Sequence, residues 1–317
     1  MSVLENKTIN PKVSIVIPVY NGSNYLKEAI DCALAQTYKN IEVVVVNDGS
    51  NDNDATEAIA LLYGSKIKYV KKQNGGIASA LNAGIRNMTG EYFSWLSHDD
   101  LYSPNKVELE VKAIQNKNDI ILCDGKIVDF SRKPIKHHNI KMPGSFNGFE
   151  LFKNYVKGYR LNGLGFLVPK SVLIDNGMFD ESLPYLQDFD MWIRLCWKNY
   201  NFICLSDELV VTRIHRMQTT NLLSDRFRVD ENAVAQKHFN LLIKENVDSK
   251  YFRYYYLLYV RSNCKLGAKL FKKYLKENKM FSLGLRIKSL NYKMRCLIIF
   301  CVRKIRNIKY SKKKMRD

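Results

Sequence analysis

The sequence predicts an α/β protein built on a doubly wound parallel sheet, followed by a helical, basic C-terminal extension. Three observations predict it. Over the first hundred residues, short apolar runs rich in β-branched residues alternate with segments of helical periodicity, the pattern of strands buried on both faces and joined by crossover helices. Each run ends in a polar or glycine-bearing cluster. The charge, finally, is divided: residues 1–249 hold 29 basic and 29 acidic residues, whereas residues 250–317 hold 21 basic ones against only Glu277 and Asp317, the whole of the net +19.

The first strand is Lys12-Val-Ser-Ile-Val-Ile-Pro18, broken by Tyr20-Asn21-Gly22. Ser23 stands where an N-cap would, and Leu26, Ile30, Ala33 and Leu34 then form one helical face up to Gln36. A second buried strand, Ile41 to Asn47, ends in Asp48-Gly49-Ser50, after which Asp52 to Tyr63 reads as a helix. A third, Lys66 to Val70, leads through Asn74-Gly75-Gly76 to a helix at Ala78 to Arg86. The fourth, Glu91 to Leu96, ends at Ser97-His98-Asp99-Asp100. Crossovers between such strands are right-handed. Beyond them, Asp119 to Asp124 reads as a strand, and Lys126 to Phe149 as a loop-rich stretch, with His137-His138 as loop surface. Asn162 to Pro169 reads as a strand or loop, and Asp188 to Trp197 as a helix. Its apolar face is Phe189, Trp192, Ile193 and Cys196, and Asp190 falls on its surface. In the extension, Phe252, Tyr255, Leu258 and Tyr259, then Leu270, Tyr274 and Leu275, recur at helical spacing.

With 317 residues, 46% hydrophobic and 26% charged, the chain can bury a sizeable core, which excludes a disordered or fibrous protein. The longest apolar candidate near the end, Leu297 to Val302, is far too short to span a bilayer. Residues Met1 to Pro11 lack the apolar stretch of a secretory signal. The cysteines at 32, 123, 196, 204, 264, 296 and 301 are odd in number and scattered, so they read as small core residues in a reducing, cytoplasmic setting. The segment from Met294 to Tyr310, followed by Lys312, Lys313 and Lys314, is basic and amphipathic. It suits peripheral contact with an anionic membrane at the inner face, each Lys or Arg near the surface adding about 1 kcal/mol. No base-reading module accompanies the positive charge, so nucleic acid is not an expected partner.

Ligands of open α/β sheets bind beyond the carboxyl ends of the strands, and here those ends carry Tyr20-Asn21, Asp48, Gly75-Gly76 and Asp99-Asp100. Acids there would repel a bare phosphate. They suit ribose or base donors and a divalent cation that bridges to phosphate, which points to a nucleotide held through a metal. Neither a phosphate loop of the Gly-x-x-x-x-Gly-Lys-Ser/Thr type nor a Gly-x-Gly-x-x-Gly follows the first strand.

The blocks Ser14-Ile-Val-Ile-Pro-Val-Tyr-Asn-Gly22, Val46-Asn-Asp-Gly-Ser50, Asn74-Gly-Gly76 with Asn82 and Gly84, Trp95-Leu-Ser-His-Asp-Asp-Leu-Tyr-Ser-Pro104, Gln187-Asp-Phe-Asp-Met-Trp-Ile-Arg194 and Arg213-Ile-His215 together resemble glycosyltransferase family 2, inverting enzymes of the Rossmann-like GT-A fold. The resemblance spans roughly residues 12 to 220. It implies a catalytic domain at 1–225, with the helical extension at 226–317, and a UDP-sugar donor with Mn2+ or Mg2+. The sugar would pass to a hydroxyl of a saccharide or lipid-linked acceptor in cell-surface polysaccharide synthesis. By position, Asp48 matches the acid that recognises the nucleotide base, walled by Pro18, Tyr20 and Asn21. Gly76, Asn82, Ser97 and His98 fall in the blocks lining the donor pocket. Asp99 matches the metal-binding aspartate, Asp100 stands beside it, and His215 matches the histidine that completes the ligand set in some members. Asp188 matches the base that takes the proton of the acceptor hydroxyl. Two positions depart from the pattern: Ser97 replaces the first acid of the usual Asp-x-Asp, and Gln187 replaces a glutamate. These departures motivate the alternative of a non-catalytic nucleotide- or saccharide-binding module on the same fold.

Overall fold

The computed structural model describes residues 10–129, 133–138, 143–159, 161–198, 200–214 and 224–294; His215 and the basic segment 295–317 lie outside them. The chain divides into two compact units, residues 1–227 and 228–317.

In the first unit, β1 (Val13–Val19) is buried along its whole length. It lies parallel to β2 (Ile41–Asn47) on one side and to β4 (Tyr92–Trp95) on the other, and β3 (Lys68–Lys71) extends β2 in parallel. The full order is β3-β2-β1-β4-β9-β6-β10-β5, with β5 (Leu101–Tyr102), β6 (Ile120–Val128), β9 (Phe166–Pro169) and β10 (Asn201–Arg213). From β4 onward the sheet is mixed: β9 runs antiparallel to both β4 and β6. A proline within a central strand would forfeit a ladder bond. At Pro18 the lost donor faces the side of β4, where the paired register ends at Val16 opposite Trp95.

The crossover helices are α1 (Leu26–Leu34), α2 (Ala55–Leu61) and α3 (Gly76–Asn87), with α4 (Lys106–Ala113), α5 (Gly148–Lys157), α6 (Lys170–Asp175) and α7 (Gln187–Cys196) following. Ser23 does not cap α1; Tyr25 holds that position without a side-chain bond, because the Ser23 side chain bonds Asp52 instead. The 126–149 stretch is not a loop. β6 runs on to Val128, β7 (Pro134–His138) pairs antiparallel with it, and β8 (Gly144–Asn147) pairs antiparallel with β10. α5 starts on a capping box in which Asn147 and Glu150 satisfy each other's backbone donors.

Beneath the 97–100 turn, α4 buries an ion pair with no exposure at either end, Lys106 to Glu110 at 2.8 Å. The ammonium also reaches Ser94 Oγ at 3.2 Å and lies 4.2 Å above the Tyr102 ring, while the Tyr102 hydroxyl donates to the Trp95 carbonyl. This network ties α4, β4 and β5 together. Among the described residues the cysteines are free and mostly buried, with Cys32 half-exposed.

The second unit is helical: α8 (Ser224–Lys244), α9 (Lys250–Ser262), α10 (Lys265–Glu277) and a last stretch at 283–294. Its core is aromatic. Phe252 stacks on Tyr274 with centroids 4.2 Å apart, Tyr255 on Phe271 at 5.0 Å, and Phe239 meets Phe271 edge-on at 5.2 Å. The Lys residues of α10 face outward around this packed side, as an amphipathic helix requires. In the last stretch, Leu283, Ile287, Leu290 and Met294 are 70%, 52%, 59% and 57% exposed. They form a solvent-facing apolar stripe beside exposed Arg286, Lys288 and Lys293.

Candidate active site

The site grows from the ends of β1, β2 and β4. Leaving β1, Asn21 takes a left-handed φ of 49°, a conformation asparagine tolerates. Its side chain then exchanges two bonds with Asn51, Nδ2 donating to Oδ1 at 2.7 Å and Oδ1 accepting from the Asn51 N–H at 2.8 Å. The loops after β1 and β2 are thereby clamped into one wall. Tyr20 projects from it, 44% exposed. A Cβ on Gly22 would fall 2.4 Å from the His98 ring, so His98 folds over this wall and joins the β4 turn to it.

Asp48 is buried at the end of β2. It accepts from Lys72 Nζ at 2.6 Å and from the backbone N–H groups of Gly75 and Gly76 at 3.1 and 2.8 Å, where α3 begins. The N-terminus of α3 therefore faces a carboxylate, the favourable sign for the helix dipole. Lys72 was not picked out from the sequence; its place two residues before Asn74-Gly75-Gly76 was the only signal.

Asn82 departs from expectation. Its side chain is buried, donates to the Phe179 carbonyl and to Glu181 Oε1, each at 2.8 Å, and accepts from the Phe179 N–H at 3.0 Å. With its amide fully engaged it acts as a bracket for residues 179–181 rather than as a donor-pocket contact.

In the turn after β4, Ser97 and His98 are half-buried and Asp99 and Asp100 buried. Asp100 Oδ1 accepts from the Arg213 backbone N–H at 2.8 Å, and the Arg213 guanidinium donates to the Asp99 carbonyl and pairs with Glu28. Arg213 thus binds the turn to β10 and α1, a role its sequence block did not reveal. Burial, and then the adjacent Asp99 charge, push the Asp100 carboxyl well above the usual range. Two crowded carboxylates fit a divalent cation. Among the described residues no three His, Cys, Asp or Glu side chains converge as a complete ligand set.

Asp188 lies in the first turn of α7. Its Oδ1 accepts from the Phe189 N–H at 2.7 Å, and burial raises its carboxyl above the usual range. A Cβ on Gly163 would stand 2.9 Å from Asp188 Oδ2, 3.4 Å from the Trp95 ring and 3.5 Å from Trp192 Nε1. Asp188 and the last residue of β4 thus meet at one point, four residues before Asp99. Asp190 is not on the surface: it is fully buried and pairs with Arg194 Nε at 2.9 Å, while that guanidinium also donates to the carbonyls of Asn176 and Met178. Two residues apart on the helix, the two acids face different surroundings. The indole of Trp192, counted only as apolar from the sequence, stacks on Phe166 at 4.1 Å and 6°.

The family model for glycosyl transferase family 2 matches residues 14–183, more than half of the chain. The chain belongs to glycosyltransferase family 2. An uncharacterized glycosyltransferase of Rickettsia typhi is 46% identical over 228 residues, 69% of either chain. Among solved structures, residues 1–349 of S. aureus TarS in complex with UDP-GlcNAc align with a TM-score of 0.63 at 18% identity, covering 89% of this chain and 79% of that one. The mannosyltransferase PcManGT of Pyrobaculum calidifontis, in complex with GDP-Man and Mn2+, aligns with a TM-score of 0.58 at 18% identity over 92% of this chain and 81% of that one. These neighbours share the Rossmann-like GT-A fold of the family 2 transferase described here.

Proposed function

We propose that this transferase moves a sugar from a UDP-sugar to a hydroxyl of a saccharide or lipid-linked acceptor, with inversion and with a divalent cation, in cell-surface polysaccharide synthesis. One observation carries the reading: Asp188 Oδ2 and the Trp95 ring both border Gly163, 2.9 and 3.4 Å from the position a Cβ would take there, so a carboxylate for the acceptor stands beside the strand whose following turn holds Asp99. Asp48 and the Tyr20-Asn21 wall are the nucleotide's side of this edge. A bound cation would neutralise the charge growing on the departing diphosphate. Asp188 takes the acceptor proton as the new bond forms, and the diphosphate leaves on the opposite face, which inverts the anomeric centre without a covalent intermediate. UDP-GlcNAc in the TarS complex and Mn2+ in PcManGT support the donor class and the cation.

Incubation with Mn2+ and a panel of UDP-, GDP- and TDP-sugars, following nucleotide release, tests the proposal; release from no donor together with no UDP binding favours a non-catalytic binding module. Asp99→Ala is expected to abolish the Mn2+ dependence of UDP binding measured by calorimetry. Unchanged metal-dependent affinity would remove Asp99 from the cation site.

We propose further that the basic extension rests on the inner face of the cell membrane, 1–225 being the catalytic part and 226–317 the anchoring one. Among the described residues no helix is long and apolar enough to cross a membrane. The stripe from Leu283 to Met294 and its flanking cations instead match an anionic interface. Deleting residues 283–317 is expected to release the protein from phosphatidylserine-containing vesicles in a sedimentation assay, and equal binding by the shortened chain would refute the anchoring role.

A further inference from the structure

Glu28 is a first-turn acid of α1 with its side chain 43% exposed, and the reaction above makes no use of it. Its carboxylate nevertheless pairs with a buried cation, the guanidinium of Arg213, whose side chain is 7% exposed. Arg213 Cζ lies 4.6 Å from the centre of the Tyr25 ring. The same residue grips the turn after β4 at two atoms: its N–H donates to Asp100 Oδ1 at 2.8 Å, and Nε donates to the Asp99 carbonyl. One turn along α1, Cys32 Sγ lies 3.1 Å from both the N and the O of Tyr102. The helix face that carries Glu28 and Cys32 therefore packs along the segment from Asp99 to Tyr102. At its start α1 is tied to the nucleotide wall, where the N–H groups of Tyr25 and Leu26 donate to the Gly22 carbonyl at 3.1 and 3.0 Å.

Glu28, Arg213, Asp99 and Asp100 thus share one locus. A cation held in the interior needs an anionic partner, since an unpaired buried charge is strongly disfavoured. Arg213 already touches both residues of the turn, so their carboxylates are its alternative partners, and the guanidinium fork matches a carboxylate with two parallel bonds. Such a pairing would take up the oxygens a divalent cation needs. Glu28 occupies the guanidinium instead, and the bond from Nε to the Asp99 carbonyl is left to fix the turn.

We propose that Glu28 is a positioning residue for the cation site: by holding the Arg213 guanidinium at α1 it keeps that group off the Asp99 and Asp100 carboxylates and steadies the turn that carries them. The proposal rests on the reading of this turn as the cation's site and deepens it, because cation affinity is then set in part from the helix that also backs the Tyr20-Asn21 wall. Glu28 touches neither substrate nor cation in this role. A neutral residue there weakens the cation's hold, and the whole effect passes through Arg213.

UDP binding to the full chain is measured by calorimetry over a series of Mn2+ concentrations. Glu28→Gln alters a partly exposed ion pair, a change that costs little stability. The Mn2+ concentration for half-maximal UDP binding is expected to rise roughly tenfold, within the range common for linked sites. Excess Mn2+ should restore the parental UDP affinity, and the melting temperature should not move. Glu28→Asp, which returns the carboxylate, should recover most of the loss. Hydrogen exchange of the 97–102 amides, followed without metal, should quicken in Glu28→Gln. In an Arg213→Gln background the Glu28 substitution should have no further effect, as expected when one residue acts through another; should that background not fold, the Mn2+ series and the exchange rates of Glu28→Gln decide. An unchanged Mn2+ dependence and unchanged exchange in Glu28→Gln overturn the positioning role. A loss of UDP affinity that excess Mn2+ does not repair assigns Glu28 to the nucleotide wall and likewise overturns it. A parent chain that binds UDP without regard to Mn2+ removes the cation site and this role with it, whereas a parent that binds no UDP counts against the transferase reading itself.

Discussion

Asp188→Asn is expected to slow sugar transfer by about 10²- to 10⁴-fold, the usual contribution of a positioned general base, while UDP affinity stays within error of the parent. Asparagine preserves the shape and the bond from the Phe189 N–H but cannot accept a proton. The pH profile supplies a second readout. Burial raises the Asp188 carboxyl above its ordinary range, and the base works only when ionised. Transfer therefore rises with pH, and its acid limb lies above the value expected of an exposed aspartate; below that limb the carboxyl is protonated and transfer fails. A variant retaining parental kcat, or an acid limb at the ordinary carboxylate value, would take the proton-accepting role away from Asp188.

The second large effect is on stability, two residues further along the same helix. Asp190→Ala strips the partner from Arg194, whose guanidinium is held inside by Asp190 and two backbone carbonyls. Removing one half of a buried pair leaves an uncompensated charge and costs about 3–5 kcal/mol, which corresponds to a fall of about 10 °C in melting temperature for a domain of this size. The double variant Asp190→Leu, Arg194→Met should recover much of the loss, because it removes both charges. A single variant that melts within about 2 °C of the parent would show the pair to be dispensable. Together the two substitutions separate the neighbouring acids, one required for turnover and the other for folding.

That separation was not legible in the sequence, where Asp188 and Asp190 sit in one block and the second reads as a surface acid. Helical spacing tells which residues share a face, but whether a face meets solvent or a neighbour such as the 176–178 loop depends on tertiary packing. The same limit hid the strands between Lys126 and Phe149. β7 and β8 carry Lys136, His137, His138 and Asn147, and short strands at the margin of a sheet need not alternate apolar with polar residues. Where burial is continuous the sequence was clear. β1, β2 and β4 lie within one residue of the apolar runs that predicted them, since a strand covered on both faces has little choice but to be apolar. The loops were likewise legible as a set, because Asp48, Gly76 and Asp99 lie in the segments that follow β2, β3 and β4. Their individual duties were not: Asn82 braces residues 179–181, and Lys72 and Arg213 hold acids in place through contacts between segments distant in the chain.

The Lys106–Glu110 pair under the site has a consequence for how this protein can change over generations. Neither member is exposed, and the pair underpins Ser94, Tyr102 and the carbonyl of Trp95. Losing either alone strands a charge in the interior, so a lineage can leave this arrangement only by altering both positions together.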